Sequence, residues 1–213
     1  MKKWYSLMVV GFVVVLLAGC APQLGVVPSS PDLDSGVSAR FVENSTARIL
    51  LDVPFLPQVP PGDWSNTRNC GVASAVMIKA YYYGTTPTPQ DIMAADEWLN
   101  ARFGLPINNY NGGFTNVFYI RSFLEFQGIS ARIGMGNVEL LRSFLKEGKP
   151  VLVAVFSNMS PGGAKHAMLV VGITNDSVVV HDPGKTSGAN NMYPLSQFLS
   201  CWQAQNNWYV TID

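Results

Sequence analysis

Two apolar segments, Ala167 to Gly172 and Val178 to His181, stand on either side of an Asn175-Asp176 turn. Two β-favouring runs around such a turn predict an antiparallel hairpin. Just upstream, Val151 to Phe156 is a short unbroken apolar run of the kind that forms a buried strand. Helical patterns come before these strands. Cys70 to Tyr83 is small and apolar, with Gly84 as its stop. Thr88-Pro89-Gln90-Asp91 then places threonine at an N-cap, proline at the first helical position and an acid in the first turn. That second helix is expected to run through Trp98 to about Phe103. Further helices are predicted at Thr115 to Gln127, stopped by Gly128, and at Val138 to Glu147, followed by Gly148. Strands at Ile49 to Val53 and Ile129 to Ile133, a short helix at Leu195 to Trp202 and a closing strand at Trp208 to Ile212 complete the pattern. Helices come first and hairpin strands later, which favours an α+β domain over a parallel α/β sheet.

The N-terminus has a different character. Met1-Lys2-Lys3 is positive, Leu7 to Leu17 is apolar, and Leu17-Ala18-Gly19-Cys20 ends the run with small residues. A basic start, a short apolar core and a small-residue cleavage site form a secretory signal, too short for a comfortable membrane span. The cysteine after Ala-Gly resembles the lipobox of bacterial lipoproteins. That resemblance implies cleavage before Cys20, diacylation of Cys20 and a mature chain anchored in the cell envelope, facing away from the cytoplasm. Ala21, where an aspartate is absent, leans towards the outer membrane if the cell is Gram-negative. Ala21 to about Ser45 is rich in Pro, Ser, Gly and Val without periodicity and reads as a tether. A flexible stretch of that length spans roughly 30 Å by coil statistics. The expected organisation is therefore a signal over 1–19, lipidated Cys20 with its tether over 20–47, and one folded domain over 48–213.

Charge excludes some partners. Lys+Arg and Asp+Glu both number 14, and no basic stripe occurs. Binding to nucleic acid therefore has no electrostatic support. A neutral surface is compatible with a peptide or protein substrate without selecting one. Oligomeric state is not legible.

Of three cysteines, two remain for the folded part if Cys20 carries lipid. In an oxidising compartment a Cys70–Cys201 disulfide is one reading, and a cysteine that merely packs is another. The setting of Cys70 favours a third. It follows the polar stretch Ser65-Asn66-Thr67-Arg68-Asn69 and begins an apolar helix, so its sulfur sits against unpaired N–H groups and the positive end of the helix dipole. Both stabilise the thiolate, the reactive form. Only two histidines occur. His166 begins one hairpin strand and His181 ends the other, beside Asp182. A hairpin turning near Thr174 to Asp176 brings His166 and Asp182 within a residue or two of register. Residues 166, 168 and 170 share one face, as do 178, 180 and 182, which turns His181 away from Asp182. His166 oriented by Asp182 is what a thiol nucleophile needs.

These residues resemble a known family. Asp52-Val53-Pro54-Phe55 with Gln58, Asn69-Cys70-Gly71-Val72-Ala73-Ser74, His166-Ala167-Met168-Leu169-Val170-Val171-Gly172 and Asp182-Pro183 look like the motifs of C39-like cysteine peptidases, from about Leu51 to the C-terminus. The resemblance implies a papain-like fold, with the nucleophile helix in a helical part packed on an antiparallel sheet. It implies Cys70 as nucleophile, His166 as general base and acid, Asp182 as orienter and Gln58 as oxyanion donor. One such donor is typically worth about 3 kcal/mol in rate. Trp64, Asn69 and Gly71, around the nucleophile, are the expected substrate contacts, while Trp98 is expected to pack in the core. The polar stretch Asn108 to Asn116 reads as an ordinary surface loop, with the edge of the cleft as the alternative.

Many relatives belong to transporters that cut leader peptides after a double glycine, and no such part stands in these residues, so the resemblance carries no substrate. Ligand types are present in His166, His181, Asp182 and Cys70, but no pair has metal-site spacing, and no phosphate loop or dinucleotide fingerprint occurs. Neither a metal nor a cofactor is expected. The expected activity is hydrolysis of a peptide or amide bond, or acyl transfer if an amine replaces water. The rival reading is a catalytically silent lipoprotein that keeps the groove to hold a peptide or partner.

Overall fold

A computed structural model describes residues 48–58, 69–105 and 116–213. The signal, Cys20, the tether, Trp64 and the stretch 106–115 lie outside the described residues.

Helix α1 (Cys70–Tyr83) has Cys70 to Ile78 and Ala80 all buried. A helix that is apolar on every side belongs in a core rather than on a surface. It ends at Gly84, whose φ of +63° is the left-handed conformation that glycine adopts without Cβ strain. Helix α2 (Pro89–Phe103) begins as its sequence requires: the Asp91 carboxylate accepts the Thr88 N–H at 2.9 Å and the Thr88 hydroxyl at 2.7 Å. Helix α3 (Val117–Phe126) is capped by the Asn116 side chain, which accepts from the Phe118 N–H. Trp98 packs between α2 and α3, stacked on Phe126 with ring centroids 4.8 Å apart. Helix α4 (Val138–Lys146) is capped in the same way by Asn137.

The strands are β1 (Ile49–Leu50), β2 (Ala131–Met135), β3 (Val151–Phe156), β4 (Lys165–Ile173), β5 (Ser177–His181), β6 (Asn191–Pro194) and β7 (Trp208–Ile212), with helix α5 (Leu195–Gln203) before the last. Among the described residues they form one seven-stranded sheet in the order β2-β7-β3-β4-β5-β6, with β1 beside β4 and every pair antiparallel. The fold is thus the α+β arrangement that the order of elements predicts.

Three local departures have physical causes. The first predicted strand, Ile49 to Val53, keeps only two ladder residues, because the Val53 carbonyl is taken by the His181 ring at 2.8 Å and Pro54 follows. The predicted strand at Ile129 to Ile133 is displaced to 131–135, because the Ile129 N–H closes the end of α3 on the Leu124 carbonyl. Strand β6 lacks an apolar pattern; its Pro194 suits the edge of a sheet, where a missing N–H costs nothing.

Strand β4 is the centre of the molecule. Val151 of β3 pairs with Val170, and beyond that point β1 takes over, with Leu50 opposite Gly172. A Cβ at Gly172 would lie 2.6 Å from the Ile49 carbonyl oxygen, so this close approach requires glycine. A bulge between Val170 and Gly172 shifts the pairing with β5 by one residue.

Candidate active site

Cys70 is the first residue of α1, where the backbone N–H groups have no helical partners. Its Sγ accepts from the Ala167 N–H at 3.4 Å and also from the Gly71 N–H. The thiol is hydrogen-bonded to His166. His166 is the second residue of β4, opposite Val155 of β3. Its Nε2 lies 2.7 Å from Asp182 Oδ1, with the two side chains 10% and 2% exposed. The hairpin register accounts for this pair: Leu169 stands opposite His181 and Val170 opposite Val180, so Asp182 lies just past the strand end on the His166 side.

The three groups shift one another. Burial opposes charge on Cys70, but the hydrogen bond and positive charge of His166, with the Ala167 and Gly71 N–H groups, hold its thiol below the ordinary value. Burial likewise opposes charge on His166, and its bonds to Asp182 and Cys70 outweigh that, pushing it up to about 10. Asp182 is also opposed by burial, yet His166, Lys185 and the Gly184 N–H keep it below the usual carboxylate range. Opposite shifts on adjoining groups describe a thiolate–imidazolium pair, whose titration belongs to the pair.

The other residues singled out from the sequence take different places. Gln58 is buried, and its backbone N–H donates to the Pro183 carbonyl at 2.8 Å, which ties it to the turn after Asp182. Asn69 precedes α1, but it is only 1% exposed and its amide points to the Asp96 carboxylate at 3.4 Å, inward from the cleft. Gly71 lines the cleft. Cys70 and Cys201 are both free thiols, which removes the disulfide reading. Cys201 is fully buried on α5, and burial raises its thiol. His181 has a structural place: Nε2 donates to the Val53 carbonyl at 2.8 Å and Nδ1 accepts from the Asn190 N–H at 3.1 Å. With both nitrogens used it is the neutral ring, and burial lowers its pKa. Among the described residues, no three His, Cys, Asp or Glu side chains gather to hold a metal, and no helix is long and apolar enough to cross a membrane.

Sequence reasoning did not foresee the surroundings of Asp182. The Gly184 N–H donates to its Oδ1 at 3.0 Å, and a Cβ at Gly184 would stand 3.0 Å from His166 Cε1. The available signal was the Pro183-Gly184 pair, a turn signature directly after the aspartate. Nor did it foresee the walls of the cleft, an open space of about 290 Å³ beside Cys70 and His166, with Val117, Phe118, Ala154 and Trp208 on its sides. Phe118 is 57% exposed there and meets the Trp208 ring at 6.5 Å.

Comparison with known proteins assigns the family and the fold. The model of the Peptidase_C39 like family matches residues 50–210. No curated protein matches the sequence. Among solved structures, a C39-like peptidase from Bacillus anthracis shares 21% identity at a TM-score of 0.63, over 78% of this chain and 97% of that one. The peptidase domain of Streptococcus ComA, a bifunctional ABC transporter, shares 19% at 0.54, over 75% and 97%. A double glycine motif protease from an AMS/PCAT transporter, solved with its leader peptide, shares 16% at 0.51, over 78% and 96%. At these identities the structures speak for the fold, which is papain-like. The family match spans most of the chain, so this protein belongs to the Peptidase_C39 like family of cysteine-peptidase-like hydrolases.

Proposed function

We propose that this protein hydrolyses peptide or amide bonds through a Cys70–His166–Asp182 triad, with Gln58 as a donor to the oxyanion, on a domain tethered to the cell envelope by lipidated Cys20. The observation that carries the reading is the unbroken chain from the Cys70 sulfur through His166 to Asp182 Oδ1, 2.7 Å from the imidazole.

The mechanism follows from those positions. The Cys70 thiolate attacks the carbonyl carbon, and the tetrahedral oxyanion is held by the Cys70 backbone N–H and the Gln58 amide. His166 gives its proton to the leaving amine as the C–N bond breaks, which leaves a thioester on Cys70. His166 then takes a proton from water, whose oxygen attacks the thioester. The acid departs and Cys70 returns as thiolate with its imidazolium. Asp182 keeps the ring oriented and supports its positive charge throughout. A double glycine motif protease of this fold is solved in complex with a leader peptide, which favours an extended peptide as the substrate form. The apolar walls at Phe118 and Trp208 favour an apolar side chain near the scissile bond.

The full-length protein in detergent, incubated with a peptide library and analysed by mass spectrometry, tests the reading. Cleavage that disappears in Cys70→Ala supports it. Cleavage that persists in that variant, or a Cys70 that alkylates no faster than an ordinary thiol, overturns it. Metabolic labelling with an alkyne fatty acid, lost in Cys20→Ala, tests the anchor.

A further inference from the structure

The carboxylate of Asp182 is almost completely enclosed, yet it faces two different groups. Oδ1 takes His166 at 2.7 Å and the Gly184 N–H at 3.0 Å. Oδ2 faces Lys185 Nζ at 3.3 Å. The ammonium is itself held from a second side: it donates to the Tyr193 hydroxyl at 3.0 Å and lies 5.7 Å from the centroid of that ring. Tyr193 stands on β6, opposite Val178 of β5, so its place is set by the sheet rather than by the loop. The loop is drawn tight as well. The Asp182 N–H donates to the Gly188 carbonyl, the Lys185 N–H donates to the Asp182 carbonyl, and a Cβ at Gly188 would overlap the latter oxygen.

We propose that Lys185, held by Tyr193, is a positioning residue for the reaction: by occupying Asp182 Oδ2 it fixes the rotation and the charge of the carboxylate that orients His166. The inference rests on the triad reading above. Its physical basis is that a carboxylate 2% exposed has little water to satisfy its second oxygen. Without a partner on Oδ2 the group can swing about χ2, and each degree of swing moves Oδ1 relative to Nε2. A cation on the far side from His166 removes that freedom. Lys185 is 37% exposed, which leaves its charge partly screened and its effect moderate. The charged and titratable groups around Asp182 are His166 on β4, Cys70 on α1 beyond it, Lys185 in the loop and Tyr193 on β6. His181, next in sequence, is turned to Val53 and Asn190 and takes no part.

The sign of the effect is defined. A carboxylate that swings when Lys185 is neutralised holds the His166 imidazolium less firmly beside the Cys70 sulfur, so thiolate formation moves to higher pH. The test is the rate of iodoacetamide labelling of Cys70 against pH, with the site mapped by mass, in the full-length protein and its variants. Lys185→Met and Lys185→Gln are expected to shift the onset of labelling upward by about half a unit, the scale of a partly exposed ion pair. Lys185→Arg restores the wild-type profile, and Tyr193→Phe gives a smaller shift of the same sign. Two different neutral variants guard against one that folds poorly. Superimposed profiles for wild type, Met and Gln overturn the proposal, as does an equal shift in Arg, which would make the effect one of packing. An ordinary thiol profile in the wild type itself, indifferent to His166→Ala, overturns the triad reading instead.

Discussion

His166 Nε2 and Asp182 Oδ1 stand 2.7 Å apart although they are 16 positions apart in the chain, because the β4–β5 hairpin folds the chain back on itself around Thr174–Asp176. That bond commits Nε2 to the carboxylate and leaves Nδ1 as the ring nitrogen for Cys70. Replacing Asp182 by Asn removes the negative charge that holds the imidazolium, and its amide can favour the wrong tautomer. The expected loss is on the order of 10²-fold or more in kcat, with KM little changed. Steady-state kinetics on a cleaved peptide check it.

The opposite shifts of Cys70 and His166 predict a two-sided pH profile. Activity rises on the acid side as the thiolate forms, below the ordinary thiol range. It falls on the alkaline side as His166, pushed up to about 10, loses the proton that the leaving amine requires. In His166→Ala, Cys70 labelling moves up to the ordinary thiol range. Alkylation and kcat/KM measured against pH provide the check.

Gln58 is separable from the nucleophile by choice of reaction. Gln58→Ala is expected to lower kcat by about 10²–10³-fold, the usual cost of one oxyanion donor. Alkylation by iodoacetamide forms no oxyanion and should keep its wild-type rate. A parallel fall in both rates would assign Gln58 to the thiolate instead.

The two histidines contribute to stability with opposite pH dependence. His166 has a raised pKa in the fold, so its contribution is complete below about 6.5 and is lost as pH rises through about 10. His181 is buried and its pKa is lowered, so the fold holds it neutral; its contribution is complete above about 6.5 and is lost as pH falls through the lowered value. His181→Leu is expected to cost about 1–3 kcal/mol near neutral pH, because the buried Val53 carbonyl and Asn190 N–H lose their partner. The variant should also lose less stability than wild type between pH 7 and pH 5, as thermal melts would show.

Phe118 offers a test of the cleft wall. It is exposed, so Phe118→Ala should leave the melting temperature nearly unchanged. It should raise KM about tenfold for peptides with a bulky apolar residue beside the cut, the scale of a few methylenes in a pocket, and leave glycine-containing peptides alone.

Much of the architecture was legible in the chain because local rules sufficed. Gly84 after an apolar run, Thr88-Pro89 before one and a turn between β-favouring segments each act over a few residues, and α1, α2 and β3 follow them closely. The placement of Cys70 at a helix start, and of His166 and Asp182 across one hairpin, followed from periodicity and register. The boundaries of β1 and β2 did not, since a distant histidine ring and the end of α3 compete for the same backbone groups.

The residues read along the chain sufficed for the elements apart from β6, and for the places of Cys70, His166 and Asp182 on them, because helix caps, strand alternation and hairpin register are short-range. It took the packed fold to show that Cys70 faces His166 across 96 positions of chain, that Cys201 lies elsewhere as a free thiol, and that Asn69 turns to Asp96. It alone placed Lys185 and Tyr193 behind Asp182 and Phe118 beside Trp208. Those contacts join residues whose order along the chain carries no information about their distance. They are set by how α1, α3 and the edge strand β6 pack against β4 and its neighbours, where burial and the pairing of backbone groups leave few alternatives.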